Sequence, residues 1–506
     1  MRRALLLTGL SGLLVTGFLS TPAFAEEAAN ADTQQPTDDA QAEQPAAGAP
    51  APAVAAPAEA AAAPVAKPKV GDVTTHGYFR GGFGASNKGG RMTCFQLTLE
   101  GGLLSKYRLG IECEVWAEME FTTVVYAGDD GSVSHLHFMP VAFIPTTYIG
   151  YSPTGVTSSD LNSTNTGAAV AFPNLYADIQ GISWLFGGTA WAGTRYYKRE
   201  SVYISDFFYW NPSGVGAGLE DLRLGKMMDS APDSVRDMTF SLALFAVDGQ
   251  PNGSMGPQLP MQIDLGIRAD LQVRGFKPWA GGELQLGFQY ILDDSNDKDV
   301  NGNSNTHGGW GVTFQYVQDV LGGNNKAAVQ YGKGWGTGFG TLARFYYPDF
   351  SLRWDPAESR FRFVDVLTIQ PTAWYGQQTN FVYQRDNTGT GESGAVTSWY
   401  SAGTRASFGV LEHLKLLAEV GYDRVQKTNG SDPQWLLKAT GAIAIAGARG
   451  FWGRPEIRAF FTYAQWDKAA AGATVDSGRL YTNPDPNTGV YTLSGKIAGL
   501  QGEAMW

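Results

Sequence analysis

Lys415-Leu416-Leu417-Ala418-Glu419-Val420-Gly421-Tyr422-Asp423 alternates along its length. Leu416, Ala418, Val420 and Tyr422 are apolar, and Lys415, Glu419 and Asp423 lie between them. A period of two means a strand with one apolar and one charged face. The same phase holds for Leu109, Ile111, Val115, Ala117, Met119 and Phe121, opposed by Arg108, Glu112, Glu114, Trp116, Glu118 and Glu120. Both windows are expected to be strands.

Composition extends this pattern to the rest of the chain. Gly supplies 64 of 506 residues, aromatics are 12% and charged residues 17%, below the usual quarter for soluble domains. Beyond the N-terminal segment no run approaches the ~18 apolar residues of a helical membrane span. Apolar side chains must then be spread through short alternating segments. In a soluble sandwich the apolar face turns inward, and residues 71–506 would normally split into two or more domains. In a transmembrane barrel the apolar face meets lipid and the polar face lines a channel.

Three features favour the barrel. A secretory signal is present with no obvious interdomain linker after residue 70. Clusters such as Phe207-Phe208-Tyr209-Trp210 and Phe345-Tyr346-Tyr347 suit interfacial girdles. The chain ends in Trp506, with Ala504, Gly502, Leu500 and Ala498 on one face and Met505, Glu503 and Gln501 on the other, as a closing strand would. At ~9–11 residues per crossing, and roughly 24 per strand with turns and loops, the chain makes on the order of 18 antiparallel strands. A barrel that wide leaves an aqueous channel.

The N-terminal residues are read separately. Arg2 and Arg3, an apolar stretch over 4–19 and Ala23-Phe24-Ala25 mark residues 1–25 as a signal peptide. Residues 26–70 are Ala, Pro, Gln and acidic residues without aromatics, and cannot bury enough apolar surface to offset their ordering entropy. They read as a disordered periplasmic tether, and residues 71–506 as the barrel.

Several windows resemble the maltoporin family of sugar-specific outer-membrane porins. They are His76-Gly77-Tyr78-Phe79-Arg80, Cys94-Phe95-Gln96, Ser105-Lys106-Tyr107-Arg108-Leu109-Gly110 and Glu112-Cys113-Glu114. The clearest is Trp191-Ala192-Gly193-Thr194-Arg195-Tyr196-Tyr197-Lys198-Arg199, continuing through Asp206-Phe207-Phe208-Tyr209-Trp210 to Ser213-Gly214-Val215-Gly216-Ala217-Gly218-Leu219-Glu220. Near the end, Trp452-Gly453-Arg454-Pro455, Ile457-Arg458 and Thr462-Tyr463-Ala464-Gln465-Trp466-Asp467 also match. Residues 223–400 match poorly. The resemblance implies an 18-stranded homotrimer in the bacterial outer membrane, with a constriction loop folded into each lumen. It implies a lane of aromatics along which sugar rings slide, flanked by charged residues that bind hydroxyls. Its outer loops are candidate sites of phage attachment. The physics is simple: rings replace water on the apolar face of a pyranose, and charged groups hydrogen-bond its rim. Each contact must be weak and repeated, or the sugar would not leave.

By this resemblance Tyr78, Trp116 and Trp452 fall on lane positions; the alternation independently puts Trp116 on the charged face. Arg80, Arg108, Glu118, Arg199 and Asp206 match the polar track. The plainer readings are girdle or packing aromatics, and a solvated lumen wall. The chain also departs from the family. Phe208 replaces the constriction tyrosine, Ser201 and Tyr203 replace two polar loop positions, Asn324 aligns with a lane phenylalanine, and Met505 replaces a lane tryptophan. An insert from roughly Gly128 to Ala171 should hold the loop that lends an aromatic to a neighbouring subunit, with Tyr148 or Tyr151 as candidates. These changes leave the sugar open. Cys94 and Cys113 are the only cysteines of an exported chain, where such a pair usually bonds; the resemblance implies that they tie the first long outer loop.

Other motifs point away from enzymes and cofactors. Gly389-Thr390-Gly391-Glu392-Ser393-Gly394 fits a dinucleotide pattern but lies in a polar loop with no helix after it. Asp297-Lys298-Asp299-Val300-Asn301-Gly302 starts like a calcium loop, yet Gly308 stands where the closing Glu belongs. His135 and His137 share a strand face with no third ligand visible, so no metal site is expected. No catalytic Ser-His-Asp set or helix-borne HExxH is evident. The net charge of −11 gives no reason to expect a nucleic-acid partner. The expected function is facilitated diffusion of maltose, maltodextrin or related oligosaccharides; a general diffusion porin for small hydrophilic solutes is the alternative.

Overall fold

A computed structural model describes residues 68–87, 92, 94–99, 102–103, 105–112, 114–145, 169–228, 230–248, 265–292, 308–339, 359–389, 391, 393–470 and 492–506. Eighteen antiparallel strands form one closed sheet. The first strand, Val73–Ser86, pairs with Glu114–Ala127 on one side and with the last, Ser494–Met505, on the other. Gly77 and Trp506 exchange backbone hydrogen bonds at the seam. Closure leaves no edge strand, so backbone groups in the lipid layer are paired by neighbours. Among the described residues no helix is long and apolar enough to cross a membrane; the strands do the crossing.

The alternation has the inside-out sense. In Leu414–Lys427, Lys415, Glu419 and Asp423 are buried toward the lumen, while Leu416 and Val420 are exposed outward. In the last strand Gln501 and Glu503 are buried and Leu500 is exposed. Short turns and both barrel termini gather at one end, which defines the periplasmic side. Trp184, Trp279, Trp374 and Trp506 are half or more exposed at these turns and at the C-terminus, and they form the periplasmic girdle.

Three sequence expectations change. Phe207–Trp210 is not girdle but one arm of a hairpin inside the lumen; residues 345–347 lie outside the described residues. The strand expected from Arg108 begins only at Glu114. Leu109 and Ile111 are fully buried in a loop that turns inward. The described parts of the supposed insert from 128 to 171 belong to the wall: a tight turn, the strand Val133–Pro145, and the start of Ala169–Ile182. Residues 146–168, with Tyr148 and Tyr151, lie outside the described residues, as do residues 1–67, Cys113 and Asp297 to Asn301. Cys94 is buried and disulfide-bonded. The glycine-rich segment at 389–394 joins two strands rather than opening a helix.

Candidate transport channel

Residues 196–213 leave the wall and enter the lumen. Glu200–Val202 and Phe207–Trp210 pair as a hairpin across the single 3-10 turn Tyr203–Ser205. Asp206 closes the turn at φ 56°, a left-handed conformation that Asp tolerates better than most residues. The hairpin is pinned to the opposite wall: Tyr209 Oη donates to Gln315 at 2.6 Å, Ile204 N to Gln378 Oε1 at 3.0 Å, and Arg362 to the Tyr209 carbonyl at 3.1 Å. Val202, Ile204, Tyr209 and Trp210 are buried in the same cluster. This is the constriction loop expected from the sequence.

A second segment, residues 105–112, folds in from another side. Its Tyr107 ring seats against Gly403 and Gly421, which face each other across neighbouring strands; a Cβ on either would overlap the ring. Tyr107 Oη lies 2.8 Å from Ser401 Oγ, Leu109 N donates to Glu419 at 2.8 Å, and Lys438 donates to the Lys106 carbonyl. The two inward segments meet through Lys106 N to Ser205 O, 2.7 Å, and Arg108 N to Ile204 O, 3.0 Å.

Charges of both signs line this junction. Asp206 pairs with Lys106 at 2.8 Å, Arg80 at 3.4 Å and Arg108 at 3.6 Å. Arg80 also pairs with Glu114, and Arg108 with Glu112 at 2.5 Å. Burial disfavours the Lys106 cation, yet Asp206, Glu112 and Glu114 outweigh it and push its pKa upward. A neighbouring set centres on Glu503, which accepts from Tyr78 at 2.9 Å, Tyr203 at 2.6 Å, Arg454 at 3.1 Å and Arg458 at 3.0 Å.

The aromatics run past these charges. Tyr78 and Trp116 pack in one cluster with Tyr196, Met139 and Val141, and Met505 abuts it. Met505 is the register partner of Tyr78. Arg108 bridges onward, its guanidinium 5.7 Å from the Tyr78 ring and 5.1 Å from that of Tyr203. Tyr203 meets Trp452 edge to face at 4.9 Å, and Trp452 meets Phe451 at the same distance. Trp452 is partly exposed, but Trp116 is 1% and Tyr78 3% exposed, and Trp116 donates to Glu118 at 2.7 Å. Arg199 stacks between Tyr196, at 3.4 Å, and Phe208, at 5.0 Å. Asn324 lies at the start of Gly323–Gly334, in step with buried Ala328 and Gln330.

Tyr78, Trp116, Trp452, Arg80, Arg108, Glu118, Arg199, Asp206 and Phe208 thus belong to one lumenal zone. The sequence reading did not assign Lys106, Glu112, Glu114, Tyr196, Phe207, Trp399, Arg405, Arg454 or Glu503 to it. Tyr203 appeared there only as a departure, yet it links the two charge sets to Trp452. Phe207 stacks edge-on against Trp399 at 5.0 Å. Of the omitted residues, Glu112, Glu114 and Glu503 carried a signal: each sits on a charged face of an alternating run.

A closed 18-stranded barrel with a lipid-facing apolar wall and a polar, loop-narrowed lumen is a porin channel of the outer membrane, crossing it many times. The chain belongs to the LamB porin family, which matches residues 73–506. Solved structures also align. Trimeric, in-vitro folded OmpT of Vibrio cholerae is 10% identical, covers 87% of this chain and 100% of its own, and has a TM-score of 0.38. For OccAB1 of Acinetobacter baumannii the values are 9%, 86%, 97% and 0.45. For OpdK of Pseudomonas aeruginosa with vanillate they are 9%, 86%, 99% and 0.42.

Proposed function

We propose that this porin carries carbohydrates, maltose and maltodextrins or related oligosaccharides, by facilitated diffusion, and that it works as a homotrimer. The observation that carries the reading is the run Trp116–Tyr78–Tyr203–Trp452, flanked on both sides by Arg, Lys, Asp and Glu side chains. Rings and charges in alternation suit a solute with an apolar face and a hydroxyl rim. Met505 is softer than an indole, Phe208 lacks a hydroxyl, and Asn324 offers no ring. Binding is therefore expected to be weaker and less sensitive to chain length than in the maltoporins that the chain resembles.

The experiment is single-channel current titrated with mono-, di- and oligosaccharides. Saturable closure by a sugar is the expected result. Trp452→Ala should raise the dissociation constant several-fold, on the order of 1 kcal/mol for a lost aromatic contact. Trp116→Ala should act in the same direction but less, because its ring presents so little surface. A current that no sugar closes would leave a general diffusion porin.

A further inference from the structure

We propose that His135, His137 and Asp178 form a binding site for a divalent transition-metal ion of the zinc class, on the lumen wall at the periplasmic mouth. The two histidines sit in Val133–Pro145 just after the tight turn, alternating with outward-facing Leu136 and Phe138. Their third partner comes from the adjacent strand, Ala169–Ile182, where His135 is the register partner of Asp178. That pairing joins residues 43 positions apart.

The three donor atoms lie within 4.8 Å of one another. His135 Nδ1 is 2.8 Å from one Asp178 oxygen, and His137 Nε2 is 3.3 Å from the other. Donors on a tetrahedral zinc ion sit about 3.3 Å apart, so small rotamer shifts complete the set. The side chains are nearly buried, 15% exposed at His135, 10% at His137 and 4% at Asp178. Two imidazoles and one carboxylate leave a fourth position for water or solute, the usual donor chemistry for zinc.

The surroundings single out His137. Its other ring nitrogen, Nδ1, faces Glu120 at 3.2 Å and Thr122 at 3.1 Å. With a metal ion at Nε2, the ring would carry its single proton on Nδ1 and donate it to Glu120. A metal-bound histidine characteristically donates its other N–H to a carboxylate, which fixes the tautomer. Glu120 takes that part here and is itself held by Asn174 at 3.2 Å. The ring is fixed by stacking on Tyr176 at 4.1 Å and 4°, over which Arg195 also lies at 4.5 Å. Gln180 donates to Asp178 at 2.8 Å and orients that carboxylate. Arg195, the cation over the Tyr176 ring, is paired with Glu220 at 2.8 Å. A bound ion would place two positive charges on an acidic stretch of the mouth and shift the channel's ion selectivity toward anions.

The test uses the purified full-length porin at pH 7.5, titrated with zinc by calorimetry and with cobalt by visible absorption. The expected result is about one equivalent per chain, with the intense visible bands of tetrahedral cobalt. His137→Gln and Asp178→Asn should each abolish this, Glu120→Gln should weaken affinity about tenfold, and His413→Gln, outside the cluster, should bind as wild type. Micromolar zinc should shift the wild-type reversal potential and leave His137→Gln unmoved. If His137→Gln does not form a heat-modifiable barrel, the wild-type titration and Glu120→Gln decide. No zinc bound by wild type, or equal binding by Glu120→Gln and Asp178→Asn, overturns the proposal and leaves a cluster held by hydrogen bonds alone.

Discussion

At the residue scale the decisive group is Glu503. It is 2% exposed and accepts from two tyrosines and two arginines drawn from three separate segments. Removing one partner of a buried charge set leaves the others uncompensated, typically roughly 3–5 kcal/mol in a dry interior; a hydrated lumen lowers that figure. We expect Glu503→Gln to fold, to shift the reversal potential in a KCl gradient toward anion preference, and to weaken sugar closure. An unchanged reversal potential would show that Glu503 lies off the conducting path. The sequence placed Glu503 on the polar face of the last strand, because alternation reports which way a side chain points. It could not report the partners, since Tyr203 and Arg454 arrive from a loop and a turn whose folding alternation does not encode. Asp178 was missed as the third donor beside His135 and His137 for the same reason: register between strands is a tertiary fact.

At the scale of elements, two inward segments share the lumen, and only one was foreseen. The constriction hairpin was legible through the resemblance around Arg195 to Glu220. Residues 108–112 of the other segment were read as the start of a strand because they alternate between two kinds of neighbour inside the lumen: Leu109 and Ile111 meet the apolar cluster, while Arg108 and Glu112 meet each other. Period two is shared by a strand between lipid and water and by a loop threaded between two lumenal surfaces. What pins the loop is the glycine pair Gly403 and Gly421, which makes room for Tyr107. Gly421→Val fills that seat without disturbing the lipid face. The expected outcome is a barrel that still forms, with the loop displaced and single-channel conductance raised measurably. Conductance equal to wild type would mean that the loop does not narrow the path. The Phe207–Trp210 aromatics were misassigned for a related reason, since a girdle and a lumenal hairpin both collect rings, and only the chain path separates them.

At the scale of the whole molecule, closure depends on the first strand meeting the last. The first strand starts at Val73, and its seam with the last is complete within the barrel, from Tyr78 against Met505 to Ser86 against Ile497. Upstream anchoring is slight: Gly71 N bonds Val124 O at 2.8 Å, and Lys69 N bonds Asp72 at 2.8 Å. The preceding Ala- and Pro-rich stretch has neither aromatics nor periodicity with which to join a core. Deleting residues 26–67 therefore keeps every contact of the seam. The deletion should yield an SDS-resistant trimer that heat converts to monomer, with wild-type conductance and the same sugar closure. Gel mobility before and after heating reads assembly, and planar-bilayer current reads the pore. Loss of the folded barrel would give this stretch a part in folding. Monomer at every concentration under gentle extraction, in wild type as in the deletion, would instead remove the trimer, because a seam closed within one chain is sufficient to build a channel on its own.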